Sequence, residues 1–380
     1  MPCCEAAHDR LNDLDMTWRP EDLVHFTPNY FDAASVVGGG ERFVENMAKA
    51  LRLAAGRSAS TSDVISRGSC EGSVHGPSGV VYHLVGDAVD GSLNLDAIRR
   101  ELRGKRFVMV HQCFAWTSLL VAATAKKMGL LVIGVDHGGG EDDAVWSRPD
   151  LTAVYDGFIA QSDFAGAIFR DHWATCEVIK GPVDDALFEI RLEVPVHALR
   201  LISVGRILPH KGFEVVVDAM PAETSLLLIG SPVDKDYQSF LEQRADATGK
   251  SIEFVMEPDD GALVELVNSA SVAVQASQYV DFRGRHYPKP ELLGLAPIEA
   301  LLCGVRVLAR RTAALSELEG LPGCSLFEDR VDLAQQLADH LTRLPSQSER
   351  EAIRARAIDV YGLVPYGASL SRMLDRVDAS

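Results

Sequence analysis

The chain has 380 residues, of which 47% are hydrophobic and 24% charged. These values are ordinary for a globular protein, and the length exceeds that of most single domains, so we expect two domains. The formal net charge of −17 argues against a nucleic-acid-binding protein, because phosphate binding needs a basic surface. Seven cysteines without metal-ligand spacing favour a reduced, cytoplasmic protein over a disulfide framework or a zinc site. We find no run of about 18 apolar residues that predicts a membrane span; peripheral contact with the inner face of a membrane stays open.

Short β-rich runs alternate with helical patterns along the chain, which is typical of parallel α/β sheets. In the first half, the predicted strands are residues 23–28, 80–85, 107–111, 130–137, 158–161 and 177–180. Helices are predicted over 40–55 and 116–128, and the stretch 56–79, dense in Ser and Gly, is predicted as loops.

The pattern restarts at residue 200. The predicted strands of the second half are 201–204, 226–229, 252–255, 272–275 and 305–309. We therefore expect two Rossmann-like, doubly wound parallel-sheet domains that face each other across a cleft, over residues 1–190 and 191–360. The segment 361–380 is predicted to pack back on the first domain.

The most informative segment is 288–309, which reads P-K-P-E-L-L-G-L-A-P-I-E-A-L-L-C-G-V-R-V-L-A. Glu291 and Glu299 are eight positions apart in it. Between them, Gly294 permits a close backbone approach, and Pro297 suits the first turn of a helix. Free amides at that helix start would attract a phosphate, and a carboxylate there could accept sugar hydroxyls.

A second segment, V-G-R-I-L-P-H-K-G, covers residues 204–212 at the end of the first strand of the second half. It places Arg206 and Lys211 around a short turn before a helix. Alone, the turn could equally be a surface turn with two exposed bases. The glutamate pair downstream favours a site for a diphosphate.

On these two segments, the sequence resembles the family 4 glycosyltransferases, whose motif runs like E-G-F-G-L-x-x-x-E-A-x-x-x-G. The resemblance implies the GT-B fold, with Glu291 on the donor sugar and Glu299 on the nucleotide ribose. Arg206 and Lys211 would then offset the charge that builds on the leaving nucleoside diphosphate. The backbone predicted to bind the diphosphate is that of Gly294, Leu295 and Ala296. The usual Gly-Phe pair is replaced by Leu292-Leu293, which could change the choice of donor.

Weaker signals lie in the first half. A turn formed by Gly38, Gly39 and Gly40 resembles the family's Gly-rich turn and is predicted to bind the donor, although it also resembles half a dinucleotide fingerprint. His137 follows a predicted strand and resembles the family's T-x-H-G segment, whose histidine helps to position the donor sugar. His111, at the end of the preceding strand, is assigned a supporting or acceptor-side role.

The resemblance implies a retaining enzyme that moves a sugar from a nucleoside-diphosphate sugar, UDP- or GDP-linked, to a hydroxyl of a glycan, a lipid-linked or a small-molecule acceptor. We predict front-face displacement, because the sequence identifies no carboxylate nucleophile on the acceptor side. We predict no metal or cofactor, because two basic side chains and a helix start already face the phosphates. Asp234 and Asp236 have the D-x-D form, but a surface turn is predicted there. The basic stretch 279–289 could bind an anion or be a solvated loop. A non-catalytic nucleotide-sugar-binding protein and an NAD-dependent oxidoreductase remain as alternatives.

Overall fold

The computed structural model describes residues 18–30, 39–56, 62–76, 79–88, 90–138, 148, 150, 152–170 and 176–379. The chain forms two compact units. One contains Met1–Pro182 and Gly362–Ser380, and the other contains Val183–Tyr361. Each unit is built on its own, mostly parallel β-sheet with helices.

The first unit contains an eight-stranded sheet with the order β3-β4-β2-β1-β5-β6-β7-β8. Its strands are β1 (Leu23–Tyr30), β2 (Ser62–Arg67), β3 (Gly72–His75), β4 (Val80–Val85), β5 (Phe107–His111), β6 (Leu131–Val135), β7 (Gly157–Ala160) and β8 (Cys176–Val178). All neighbouring strands are parallel except β3 and β4. The central strand β5 is buried along its whole length, as expected of a parallel strand that is covered on both faces.

The helices of this unit up to β8 are α1 (Gly39–Ala54), α2 (Leu95–Glu101), α3 (Trp116–Lys127) and α4 (Asp163–Phe169). Two of them begin with a polar cap. The side chain of Asn94 accepts a hydrogen bond from the amide of Ala97, and that of Ser162 accepts one from the amide of Ala165. Each cap satisfies one of the amides that a helix start leaves without an internal partner.

The prediction of a loop-rich stretch over residues 56–79 missed two strands, because β2 and β3 lie within it. Strand β2 runs inside the sheet between β1 and β4. Its core contribution is limited to Val64 and Ile65, both fully buried, and two apolar residues among Ser, Asp and Arg are too few to reveal a strand period. Strand β3 is exposed at the sheet edge.

The second unit contains a six-stranded parallel sheet with the order β11-β10-β9-β12-β13-β14. Its strands are β9 (His197–Val204), β10 (Ser225–Ile229), β11 (Ser251–Val255), β12 (Ala270–Gln275), β13 (Arg306–Arg310) and β14 (Cys324–Phe327). Its helices are α5 (Phe213–Ala219), α6 (Lys235–Thr248), α7 (Asp260–Asn268), α8 (Leu295–Leu302), α9 (Arg330–His340) and α10 (Gln347–Tyr361). One buried core joins β9, β10 and β12 to α5, α6 and α9.

The second unit starts at Val183, whereas the sequence predicted a boundary between residues 190 and 191. Hydrogen bonds to α10 accompany this earlier start. The amide of Val183 donates to the carbonyl of Tyr361 at 2.9 Å, and the guanidinium of Arg354 donates to the carbonyls of Asp185 and Phe188. These contacts tie the first residues after Pro182 to α10.

The last helix, α11 (Leu363–Ala379), belongs to the first unit and packs on α1. A Cβ atom on Gly367 would collide with the carbonyl oxygen of Ala50. Glycine at this position therefore allows the two helices to approach closely. Among the described residues, no helix combines the length and the apolar character needed to cross a membrane.

Candidate functional site

The turn after β9 depends on a backbone contact between two glycines. The amide of Gly205 donates to the carbonyl of Ile229 at 2.8 Å. Gly205 has φ 153° and Gly230 has φ 145°, and a Cβ on Gly230 would collide with the carbonyl oxygen of Gly205. The carboxyl ends of β9 and β10 thus meet at a point where no side chain fits.

This turn brings Arg206 and Lys211 to one place, as predicted from the sequence. Arg206 follows Gly205 directly and is exposed. The Cε atom of Lys211 lies 4.0 Å from where a Cβ of Gly205 would be, so the lysine stem packs over the turn. The next residue, Gly212, has φ 67° and is the N-cap of α5, and a Cβ there would collide with the carbonyl oxygen of Ala276. The turn therefore packs directly against the segment that follows β12.

Lys211 forms an ion pair with Glu291, 80 positions away in the chain. The distance from its Nζ atom to Oε2 of Glu291 is 2.7 Å, and the two side chains are only 13% and 15% exposed. A charge-assisted hydrogen bond of this kind is stronger than a neutral one, and limited exposure reduces its screening by solvent. The ion pair connects the turn after β9 to the segment that precedes α8.

Glu291 also accepts hydrogen bonds from two residues at the end of β12. The hydroxyl of Ser277 donates to Oε2 at 3.1 Å, and the amide nitrogen of Gln275 lies 3.4 Å from the same oxygen. Neither residue was predicted from the sequence. The available signal was the position of Gln275 as the last residue of a buried parallel strand, where ligand-binding groups gather in such sheets.

Gly294 and the start of α8 lie beside the strand ends. Gly294 has φ 86° and occupies the N-cap of α8 without a side-chain hydrogen bond, and a Cβ there would come within 2.8 Å of Leu315. Such a helix start presents backbone amides toward an anion. Ala296 of the first turn lines a small crevice together with Val204 and Gln275, the last residues of β9 and β12.

Glu299 lies on α8, one turn after Leu295, but its environment differs from that of Glu291. It is only 6% exposed, whereas Glu291 is partly open to solvent. The structure thus places both glutamates and the Gly294 turn in one region and leaves Glu291 as the more accessible carboxylate. A contact between Glu299 and a ribose stays a prediction.

His210 is a further residue that the sequence analysis did not single out, although it directly precedes Lys211. Its ring centroid lies 4.6 Å from that of Tyr287. Burial, with the positive charges of Lys211 and Arg206, lowers the pKa of His210 to about 4 even though Glu291 acts in the opposite direction. The imidazole is therefore neutral at neutral pH and adds no third positive charge to the turn.

The basic stretch 279–289 is held by acidic partners. Arg283 donates to Asp234 at 2.6 Å and its guanidinium stacks over the ring of Phe282. Asp281 accepts from the backbone amides of Arg283 and Arg285. Asp234 in turn caps α6 by accepting from the amide of Tyr237 at 2.9 Å. Arg283 thus faces a carboxylate, which argues against its use as an anion site, and Asp234 serves as a helix cap.

In the first unit, His137 follows β6 and lies in a row of three histidines. Its ring stacks on Phe43 at 5.2 Å and lies 5.3 Å from the ring of His111. The Nε2 atom of His111 is 3.0 Å from Nδ1 of His25. Burial lowers the pKa of His137 to about 4 and that of His25 to about 3.

His137 therefore has a neutral ring at neutral pH. Both its ring nitrogens are buried without a hydrogen-bond partner among the described residues, so one can donate to a ligand and the other can accept. The Gly-rich turn is only partly visible. Gly38 lies outside the described residues, and Gly39 and Gly40 are the first residues of α1.

The structure resembles solved glycosyltransferase structures over most of its length. It matches HepE of Anabaena, in complex with UDP and glucose, at 16% identity and a TM-score of 0.70, covering 93% of this chain and 99% of that one. Sucrose-phosphate synthase from Thermosynechococcus elongatus matches at 18% identity and a TM-score of 0.73, covering 94% and 99%. A glycosyltransferase from Rickettsia africae matches at 14% identity and a TM-score of 0.70, covering 93% and 98%.

The sequence comparisons concern mainly the second unit. No curated protein sequence matches the chain significantly. Residues 191–359 match the family model described as glycosyl transferases group 1, a range that contains Arg206, Lys211, Glu291 and Glu299. The second unit thus matches the model of the group 1 glycosyltransferases, in a chain that has the two-domain fold of the GT-B glycosyltransferases.

Proposed function

We propose that this protein is a retaining glycosyltransferase of family 4 that moves a sugar from a nucleoside-diphosphate sugar to an acceptor hydroxyl. The observation that carries the proposal is the 2.7 Å ion pair between Lys211 and Glu291. It joins a cation suited to the diphosphate with a carboxylate suited to the sugar hydroxyls. Both lie next to a glycine-capped helix start, which supplies backbone amides for the phosphates.

We propose a UDP-sugar as the donor, with a GDP-sugar as the second choice. The fold neighbour HepE has been solved with UDP and with UDP-glucose, which supports uridine for the first trial. In this assignment, the two phosphates are bound by Arg206, which is exposed, and by Lys211, whose side-chain stem packs over the turn. Glu299 contacts the ribose, and the neutral ring of His137 exchanges hydrogen bonds with a sugar hydroxyl.

In the proposed reaction, the bond between the anomeric carbon and the phosphate oxygen breaks while the acceptor oxygen bonds to the same face of that carbon. The acceptor proton passes to the departing phosphate oxygen. Arg206 and Lys211 stabilise the charge on the diphosphate as it leaves, which is electrostatic catalysis by positioned groups. Glu291 acts as a sugar ligand in this proposal, held through its Oε2 atom, which accepts three hydrogen bonds.

The first experiment is a thermal-shift series with nucleoside diphosphates, nucleotide sugars and NAD, with and without EDTA. A ligand present at one hundred times its Kd should add about 2.7 kcal/mol to the free energy of unfolding. We expect the nucleotides of one nucleobase to raise the melting temperature, and this shift should persist in EDTA. Lys211→Ala should weaken this shift, whereas Lys235→Ala, which removes the same charge from an exposed position at the start of α6, should leave it unchanged.

Turnover and product analysis complete the test. Arg206→Ala and Lys211→Ala should each abolish most transfer; the melting temperature should stay close to that of the wild type for the exposed Arg206, and Lys211→Ala should remain folded. Near-normal turnover of both variants would refute the proposed role of the Arg206 and Lys211 side chains. An inverted anomeric configuration in the product would refute retention, loss of activity in EDTA would refute metal independence, and a shift with NAD alone would support an oxidoreductase.

A further inference from the structure

The carboxylate of Glu291 is held through one of its two oxygens. Lys211, Ser277 and Gln275 all donate to Oε2, at 2.7, 3.1 and 3.4 Å. Within the described residues, no hydrogen bond to Oε1 is found. A carboxylate offers about four lone-pair positions, about two on each oxygen, so three donors saturate Oε2 and leave Oε1 with its full accepting capacity.

The two uncharged donors form a directed chain. The side-chain amide of Gln275 donates to the hydroxyl of Ser277 at 3.0 Å, and this hydroxyl donates onward to Glu291. Because the serine oxygen accepts from the glutamine, its own proton points toward the carboxylate. Ser277 is fully buried and Gln275 is 3% exposed, so solvent does not compete for these hydrogen bonds.

The hydrogen-bond donors to Glu291 are held by the end of a central strand. Gln275 is the last residue of β12, where it pairs in register with Ala309 of β13. The intervening residue, Ala276, contacts Gly212 of the turn that carries Lys211. All three donors to Oε2 are therefore positioned by one short segment at the end of a central strand, which favours a fixed geometry.

From this arrangement we infer that Ser277 and Gln275 are positioning residues that fix the carboxylate of Glu291 and reserve Oε1 for a hydroxyl of the donor sugar. Lys211 alone supplies charge, but a single flexible ammonium group leaves the carboxylate plane free to rotate. The Ser277 hydroxyl and the Gln275 amide define that plane. The inference rests on the proposed function and deepens it, because it assigns the recognition of the sugar, as distinct from the nucleotide, to a second pair of side chains.

The test compares two ligands that differ by the sugar. Calorimetric titrations with UDP and with UDP-glucose, and with GDP and GDP-mannose as a second pair, are made on the wild type, Ser277→Ala and Gln275→Met. We expect Ser277→Ala to weaken binding of the nucleotide sugar by about tenfold, the equivalent of one hydrogen bond to a charged group. Binding of the nucleoside diphosphate alone should stay within about twofold of the wild type.

Ser271→Ala is the matched control. Ser271 lies on β12, the strand that precedes Ser277, and is 3% exposed, but its hydroxyl donates to the carbonyl of Arg200 at 2.9 Å, away from Glu291. This variant loses a buried hydroxyl, as Ser277→Ala does, and it should keep the ratio of the two affinities. The double variant of Ser277 and Gln275 should cost less than the sum of the single variants, because both act through one chain of hydrogen bonds.

Two outcomes overturn the inference. Equal weakening of UDP and UDP-glucose in Ser277→Ala would mean that the serine supports the site in general, and unchanged affinities would mean that Lys211 alone orients Glu291. A wild-type protein that binds neither ligand pair would refute the proposed function itself. That failure is visible before any variant is made, so the two failures are distinguishable.

Discussion

Three neutral histidines in the first unit predict a steep loss of stability in mild acid. His25 and His111 are 0% exposed, and the rings of His25, His111 and His137 contact each other in sequence. Burial lowers the pKa of His25 to about 3 and of His137 to about 4, and holds that of His111 well below its usual 6.5. In the unfolded chain, each ring would titrate near 6.5.

The direction and size of the effect follow from proton linkage. Below pH 6.5 the unfolded chain binds protons that the folded unit excludes, so stability is complete above this pH and declines as the pH falls toward the folded pKa values. Between pH 7 and pH 5, each histidine lowers the free energy of unfolding by about 2 kcal/mol, or about 6 kcal/mol for the three. Repulsion among the rings does not reduce this figure, because it only strengthens the exclusion of protons from the folded state. The loss is comparable with the total stability of many domains.

Tryptophan fluorescence offers a selective assay. All four tryptophans of the chain precede residue 183, in the first unit, so urea unfolding followed by fluorescence at pH 7, 6 and 5 reports on this unit. His25→Gln should reduce the pH dependence by about one third, about 2 kcal/mol. His75→Gln, at an exposed position of β3, should leave it unchanged. The salt-bridged His83, whose pKa is raised by Asp63, acts in the opposite direction in all variants. A wild-type free energy of unfolding that is constant from pH 7 to 5, or a His25→Gln variant with unaltered pH dependence, would refute the reasoning.

Two further predictions concern the second unit. Gly212→Ala and Gly249→Ala both place alanine at a positive φ, 67° and 65°, which costs about 1–2 kcal/mol. Only at Gly212 does the new methyl group also meet a backbone oxygen, that of Ala276, so thermal melts should show a clearly larger loss for this variant; equal losses would contradict the predicted collision. Arg350→Met should lower the free energy of unfolding by about 1–3 kcal/mol because it leaves the side-chain oxygen of Asn268, which Arg350 contacts at 2.8 Å, without this donor. Urea titrations that show no change would refute that assignment.

The sheet of the second unit was largely predictable from the sequence. Its strands are apolar runs bounded by turn residues, and the structure has a strand at each predicted position. The first unit was harder to predict, because β2 buries only two apolar side chains. The second unit also starts earlier than the predicted residue 191, at Val183, whose backbone is hydrogen-bonded to that of Tyr361. A hydrogen bond between distant backbone groups leaves no trace in side-chain composition.

The candidate site, like the fold, was only partly predictable from the sequence. The glutamate spacing and the basic turn were visible as local patterns, and the structure brings Lys211 and Glu291 into contact. The hydrogen bonds from Ser277 and Gln275 were not predictable, because neither residue forms a motif with Glu291. His25 was missed for a similar reason, as its partner His111 is 86 positions away. The assignments of Glu299, His137 and the Gly-rich turn to a bound donor stay predictions, as does the cytoplasmic location with peripheral membrane contact.

The return of α11 to the first unit has a consequence for synthesis on the ribosome. The second unit is one uninterrupted stretch, and it is complete once Tyr361 has been added. The first unit, although it begins earlier, lacks the partner of α1 until the residues around Gly367 have emerged. During translation, the unit made first is therefore the last to be completed. A chain that stops after Tyr361 should contain a folded second unit beside a first unit whose α1 surface is uncovered, and such a truncated chain should be held by chaperones.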